Sequence, residues 1–336
     1  MSSDDAKKYI SDIVMSLDKK YDDFEIQFMG GEPLLCYSTI VEVSEWLFSK
    51  SWPKPLKNIF IVTNGTLLNQ GNKQWFQENK DRVCLGLSFD GTMKMQNVNR
   101  SNSSDNIDIE FFSRTWPHQA VKMTVSPYTL KNLSQGIIFL HEKGFENIIV
   151  DLAMGNKIGW CANHLRILKQ QLLTLKEFYL DNPQYNPCSL LRLDIFDLSK
   201  EGKCNKNCSC GEGLVCVDTE GNTYGCHLFS PIACDQELSS KSASIDFHDH
   251  SLFSDPKCDG CSLNRLCPRC YGMNYSQGRG LGEQDPFTCS SFKIIYLQNC
   301  SFQYAKAIRE QNKDVSNAIK QILSNLNLTI NQTEPI

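Results

Sequence analysis

The chain has no run of about 18 apolar residues, so nothing in it can cross a bilayer as a helix. It has no surplus of positive charge: 34 Lys and Arg stand against 38 Asp and Glu, a formal net charge of -4. A broad electrostatic footprint for nucleic acid is therefore missing. The first residues, MSSDDAKKYISDIVMSLDKKYDD, are polar and acidic, with no apolar core of a secretory signal. That points to a cytoplasmic protein with neither membrane nor nucleic-acid partners. It also removes any meaning from Asn-x-Ser/Thr triplets such as Asn64-Gly65-Thr66. No internal repeat or low-complexity block is present. What is abundant is cysteine, 16 in 336 residues. A protein that is not exported has little use for disulfides, so the thiols point to metal or iron–sulfur ligation.

The front half alternates strand and helix. Ala6, Tyr9, Ile10, Ile13, Val14 and Leu17 have helical spacing over residues 4–20. Strands are expected at 24–28, 58–62, 83–89, 121–125 and 147–153. Helices are expected near 38–49, 66–79, 130–143 and 161–180. Residues 91–116, rich in Asn and Ser, read as a loop with some local structure. This order implies parallel strands joined by right-handed crossovers. Ligands of such sheets sit at the carboxyl ends of the strands. Those ends carry Gly30-Gly31, Thr63-Asn64-Gly65, Asp90-Gly91 and Ser126-Pro127.

The back half holds 12 of the 16 cysteines between Cys204 and Cys300. Cys210-x5-Cys216-x9-Cys226 includes a hairpin with Glu220-Gly221-Asn222 at its turn. Cys258-x2-Cys261-x5-Cys267-x2-Cys270 follows, and then Cys289. Eight cysteines suffice for two four-thiolate sites. Spacing alone leaves zinc and iron–sulfur both open.

Met29-Gly30-Gly31-Glu32-Pro33 resembles the GGEP motif of radical S-adenosylmethionine (SAM) enzymes, in its place after a strand. Thr63-Asn64-Gly65, then Ser88-Phe89-Asp90-Gly91 with Arg100 downstream, continue the match. The cysteine-rich half looks like a SPASM domain, with Gly221-x4-Cys226 and Cys258, Cys261 and Cys267 in its pattern. The resemblance spans about residues 4–300. It implies an α/β fold: a partial (β/α)6 barrel lacking its first strand over 1–190, and a SPASM domain with a small hairpin and short helices over 203–300. A C-terminal helix and frayed tail would occupy 301–336.

The resemblance also assigns roles. Gly30, Gly31 and Glu32 would hold the SAM amino group. Thr63, Asn64, Ser88 and Asp90 would lie at its ribose or carboxylate, and Arg100 would pair with the carboxylate. Cys210, Cys216, Cys226 and Cys270 would ligate a first auxiliary [4Fe–4S] cluster, and Cys258, Cys261, Cys267 and Cys289 a second. Four protein thiolates leave no open iron, so these clusters would carry electrons or support structure.

Three departures stand out. The Cys-x3-Cys-x2-Cys that holds the SAM-cleaving cluster is absent from this sequence; Cys204-x3-Cys208-x1-Cys210 is the nearest spacing. A third cluster thus requires a segment supplied ahead of residue 1. The expectation is a chain truncated inside its first helix, ahead of a lineage that lost the cluster or a split protein. Strand 24–28 would then have one unpaired edge. Cys270 follows after two residues where the pattern has three. His227 stands where sulfatase-maturing relatives carry Asp; it is a weak candidate base, or an ordinary hairpin histidine.

Of the remaining residues, Cys204, Cys208 and Cys300 read as buried or free thiols, and Met123-Thr124-Val125 as core strand. His164 reads as solvent-facing, and His248 and His250 as loop residues. Trp160 is placed at the barrel mouth or in packing. The functional expectation is a peptide- or protein-modifying maturase that, in full-length form, abstracts hydrogen with a 5′-deoxyadenosyl radical and takes electrons from an external donor. Whether this chain is itself an enzyme stays open. The alternative is a non-catalytic iron–sulfur or zinc protein that binds a peptide or partner subunit.

Overall fold

The helical spacing at the start of the chain forms α1 (Ser3–Met15), capped by the Ser2 hydroxyl, which accepts the Asp5 N–H. It stops earlier than the expected residue 20, before the polar run Asp18–Asp23. The computed structural model describes residues 1–199 and 206–326. Cys204 and the tail past residue 326 lie outside them.

The elements continue as β1 (Phe24–Phe28), α2 (Tyr37–Ser49), β2 (Leu56–Thr63), α3 (Gln70–Glu78) and β3 (Val83–Leu87). The three strands form a parallel sheet in the order β1-β2-β3. Burial explains the order. Every residue of β3 is buried, and just past its end Ser88 bridges in parallel to Lys122, so this side of the sheet is covered. In β1 Glu25 and Gln27 are exposed, which suits an edge.

Residues 91–116 depart from the expected loop. They fold as α4 (Met93–Asn99), a 3-10 turn at Ser104–Asn106 and α5 (Ile109–Thr115). The polar residues that suggested a loop are caps: the Thr92 hydroxyl accepts the Met95 N–H, and the Asp108 carboxylate accepts the Phe111 N–H. Met95, Ile109, Phe111 and Phe112 supply the buried faces.

Next come β4 (Val121–Val125), α6 (Leu133–Glu142), β5 (Ile148–Leu152) and α7 (Ala162–Asp181). Met123 and Val125 are fully buried, as expected of a core strand. The cysteine-rich part carries β6 (Cys216–Val217), β7 (Thr223–Tyr224), α8 (Gln236–Lys241) and α9 (Tyr271–Ser276). Two longer helices, α10 (Pro286–Arg309) and α11 (Lys313–Asn325), follow. Helix α10 runs through residue 300 without a break. Among the described residues, no helix is long and apolar enough to cross a membrane.

The chain divides into two compact units. One is Met1–Thr124 with Ile138–Ile148 and Cys216–Thr223; the other is Val125–Ile137 with Ile149–Val215 and Tyr224–Ile336. In the first, the Asp218 carboxylate organises the expected hairpin turn by accepting the N–H groups of Glu220 and Asn222. Gly221 is left-handed there (φ 88°), and a Cβ on it would lie 2.5 Å from the Tyr9 hydroxyl. Glycine is thus required twice, by its dihedral and by the ring packed on it. In the second unit, Ile195, Tyr296, Cys300, Ile319 and Leu323 form one core. Cys210, Cys226, Phe229, Phe253 and Tyr271 form another.

Candidate functional site

The parallel register brings three strand ends to one edge. Phe28 pairs with Ile61, and Thr63 with Leu87, so the loops after β1, β2 and β3 leave the sheet side by side. The Ser88 N–H then donates to the Thr63 carbonyl at 2.9 Å, and Ser88 forms a parallel bridge with Lys122. Gly30–Glu32, Thr63–Asn64 and Ser88–Asp90 therefore stand at neighbouring strand ends.

Glu32 ties two of these ends. Its Oε1 accepts the Thr63 hydroxyl at 2.6 Å and the Leu34 N–H at 3.2 Å; its Oε2 accepts the Asn64 N–H at 2.8 Å. Thr63 in turn accepts the Gly65 N–H, and the Asn64 amide oxygen accepts both the N–H and the hydroxyl of Thr66. The Glu32 carboxylate keeps acceptor capacity beyond these three bonds. Gly30 and Gly31 are exposed, and a Cβ on either would meet nothing within 4 Å. Neither has a left-handed φ. Among the described residues nothing packs on either position, so the pair leaves a bare, open stretch of backbone.

Asp90 is 1% exposed and holds Arg100 in a bidentate pair, Nε to Oδ2 at 2.8 Å and Nη2 to Oδ1 at 3.1 Å. The Thr124 N–H donates to the same Oδ1, and the Asp90 N–H donates to Gln96 Oε1. Arg100 thus has a protein carboxylate on its fork, while its Nη1 makes no part of that pair. Gln96 and Thr124 escaped sequence reasoning because they act through one amide oxygen and one backbone N–H.

Among the described residues, no three His, Cys, Asp or Glu side chains form a metal-binding group. Thiols carry no charge that would draw them together without an ion. The cysteines are nevertheless gathered. Cys210 and Cys226 share one buried core. A hydrogen bond with Cys208 and burial push the Cys210 thiol up. Lys206, its side chain 3% exposed, donates to the Cys210 carbonyl at 2.7 Å, the Phe247 carbonyl at 2.9 Å and Glu212 at 2.5 Å.

Burial likewise pushes the Cys267 thiol up, and charge on Cys289 and Cys258 adds to it; Gln284 and Arg269 act the other way. The Gln284 amide donates to the Cys267 sulfur at 3.0 Å. Soft thiol donors are the ligand type that suits iron–sulfur or zinc.

Other expectations are refined. His164 is half-buried: its Nδ1 accepts the Cys161 N–H at 3.0 Å, and its ring packs edge-on against Trp160, so it caps α7 instead of facing solvent. Trp160 is a packing residue, stacked on Phe287 at 4.6 Å. His250 contacts Glu212 at 3.0 Å. His227 opens a 3-10 turn and is half-buried. Cys300 is a fully buried thiol.

No family model matches the chain, and no curated protein matches it. Solved structures do. Native anSMEcpe with bound AdoMet, a sulfatase-maturating radical SAM/SPASM enzyme, aligns with TM-score 0.64 at 18% identity, over 92% of this chain and 89% of that one. The same enzyme with AdoMet and the Cp18Cys peptide aligns at 0.63 and 17% identity, over 93% and 90%. SuiB of Streptococcus suis aligns at 0.56 and 13% identity, over 85% and 70%. The chain shares its mixed α/β fold with these structures. In this fold, the Gly30–Glu32, Thr63–Asn64 and Ser88–Asp90 segments occupy adjacent strand ends.

Proposed function

We propose that this chain holds SAM and auxiliary clusters as a maturase that modifies a peptide or protein. The observation that carries the reading is the strand-end edge, with two open glycines beside a carboxylate that already ties β1 to β2. Gly30 and Gly31 would admit the SAM amino group to the backbone, and Glu32 would offer its remaining acceptor capacity. Thr63, Asn64, Ser88 and Asp90 would border the ribose and carboxylate, with Arg100 oriented by Asp90. When bound, SAM supplies a 5′-deoxyadenosyl radical once an electron reaches it. The two four-thiolate cysteine sets would hold [4Fe–4S] centres that pass electrons between the site and an external donor. The AdoMet- and peptide-bound forms of the aligned enzyme support SAM as cofactor and a peptide as partner.

One sequence fact favours a second reading: no Cys-x3-Cys-x2-Cys occurs in these 336 residues. On that reading the chain binds a peptide or a partner subunit through its cysteine-rich part and converts nothing.

Anaerobic reconstitution tests both. About eight irons and eight sulfides per chain are expected for two clusters. Equilibrium dialysis should show labelled SAM retained, and lost in Gly31→Val. Two zincs without sulfide would remove the iron–sulfur assignment. SAM retention unaffected by Gly31→Val would remove the binding site. Peptide binding with no SAM consumed would establish the second reading.

A further inference from the structure

We infer that a basic cleft with an aromatic floor, at the starting edge of the β1-β2-β3 sheet, docks an acidic polypeptide segment that carries an apolar side chain. The inference uses neither the SAM edge nor the cysteines, so it goes beyond the function proposed above and does not fall with it.

The cleft has a volume of about 270 Å³ and lies where β2 begins and just ahead of β3. The strands are parallel, so this edge is opposite to that of Gly30–Glu32 and Thr63–Asn64. Lys50, Lys54, Lys57 and Arg82 line it, and no Asp or Glu does. In a chain where 38 acidic residues outnumber 34 Lys and Arg, this is a local separation of charge. Among the described residues, none of the four cations has a carboxylate partner. The Lys54 ammonium reaches the Lys19 carbonyl at 3.5 Å, and Arg82 donates to the Asn79 amide oxygen at 3.1 Å. Both of those acceptors are uncharged.

The floor is held in place by the protein. Trp52 is half-buried, and its Nε1 donates to the Leu47 carbonyl at 3.1 Å. Its ring meets Trp46 edge-on at 5.2 Å and Phe24 at 5.8 Å. The Arg82 guanidinium lies 3.8 Å from the centre of the Phe48 ring, which orients it without an anion. Lys50 and Trp52 also line a second cleft of about 420 Å³, with Lys8, Met15 and Trp46. Lys7 lines it too, but Glu42 already pairs with it. Fixed aromatic rings beside unpaired cations suit a ligand that brings negative charge and an apolar side chain together. An acidic peptide does both. A long polyanion fits less well, because the chain's net charge of -4 repels it beyond the cleft.

The test uses the full chain and fluorescence anisotropy, with a fluorescein-labelled peptide of Asp and Glu around one Tyr. Wild type should bind it, and more weakly as salt rises. Lys50→Glu with Lys57→Glu, both at exposed positions, should weaken binding about tenfold, the size of two lost exposed charge contacts. Lys293→Glu with Lys313→Glu, on α10 and α11, makes the same change in net charge and should bind as wild type does. Replacing the Tyr of the peptide by Ser should weaken wild-type binding several-fold. No binding by wild type overturns the inference, and so does unchanged binding by the Lys50 and Lys57 variant. Equal weakening in both double variants overturns it as an effect of net charge alone. A Ser peptide bound as tightly as the Tyr peptide overturns it as well. Tighter binding of oligothymidylate would make the cleft a nucleic-acid contact instead. Displacement of the peptide by inorganic phosphate, but not by chloride at equal ionic strength, would make it a small-anion site instead.

Discussion

The Glu32 carboxylate and the Thr63 hydroxyl meet at 2.6 Å across the ends of neighbouring parallel strands. With the Asn64 N–H on the other oxygen, this joins the loop after β1 to the loop after β2 before any ligand arrives. The site is thereby preorganised by protein contacts.

Glu32→Ala removes three acceptor contacts at once. A loss of roughly 2–3 kcal/mol in denaturant-induced unfolding is expected, from charge-assisted bonds in a half-buried setting. Thr63→Val should cost less, about 1 kcal/mol, because the Asn64 and Leu34 contacts survive. Equal effects in the two variants would deny Glu32 its central position.

The Asp90–Arg100 pair is asymmetric: Asp90 is buried, while the Arg100 side chain is 29% exposed. Arg100→Met strands a buried carboxylate and should destabilise by about 3 kcal/mol. Asp90→Asn leaves an arginine that can reach water and should cost less. Urea midpoints of the two variants give the order.

Gly221 has both a left-handed backbone and the Tyr9 ring against it. Gly221→Ala should therefore destabilise by roughly 2 kcal/mol or more, combining dihedral strain and overpacking. Gly221→Ala with Tyr9→Ala should recover the packing share alone; full recovery would show that the dihedral costs nothing.

Burial and, secondarily, the charge of Glu25 push the Cys84 thiol up to about 12. Burial does the same for Cys300, to about 12, against the hydrogen bond from Tyr296. In the unfolded chain these thiols ionise near 8.5. The folded protein thus holds protons that the unfolded chain gives up, and the stability they provide is lost as pH rises from about 9 towards 12. Stability followed against pH should fall over that window, and less steeply in Cys84→Ala. At neutral pH the exposed Cys36 and Cys161 should react with iodoacetamide well before Cys84 or Cys300.

Much of this was readable in the residues. Short apolar runs and helical spacing located β1 to β5 and most helices to within a few positions, because each element buries apolar side chains against the rest. Residues 91–116 were misread because their Asn, Ser and Asp side chains serve as helix caps; caps and loops share a composition. His164 was misread for a related reason, since a histidine reaching back to its own helix start leaves no mark on hydropathy.

Order along the chain was enough to name the strand-end residues and the cysteine array, because chemistry of that kind is written in residue type and spacing. It could not say which groups Arg100 and Arg269 face. Both are arginines beside motif residues, yet one is paired by Asp90 and the other has no anion among the described residues. That difference comes from which nearby side chain the folded backbone turns onto each guanidinium, Asp90 on Arg100 and the Asn264 amide on Arg269. A charge is satisfied in three dimensions, and its partner's distance in sequence carries no information about its distance in space.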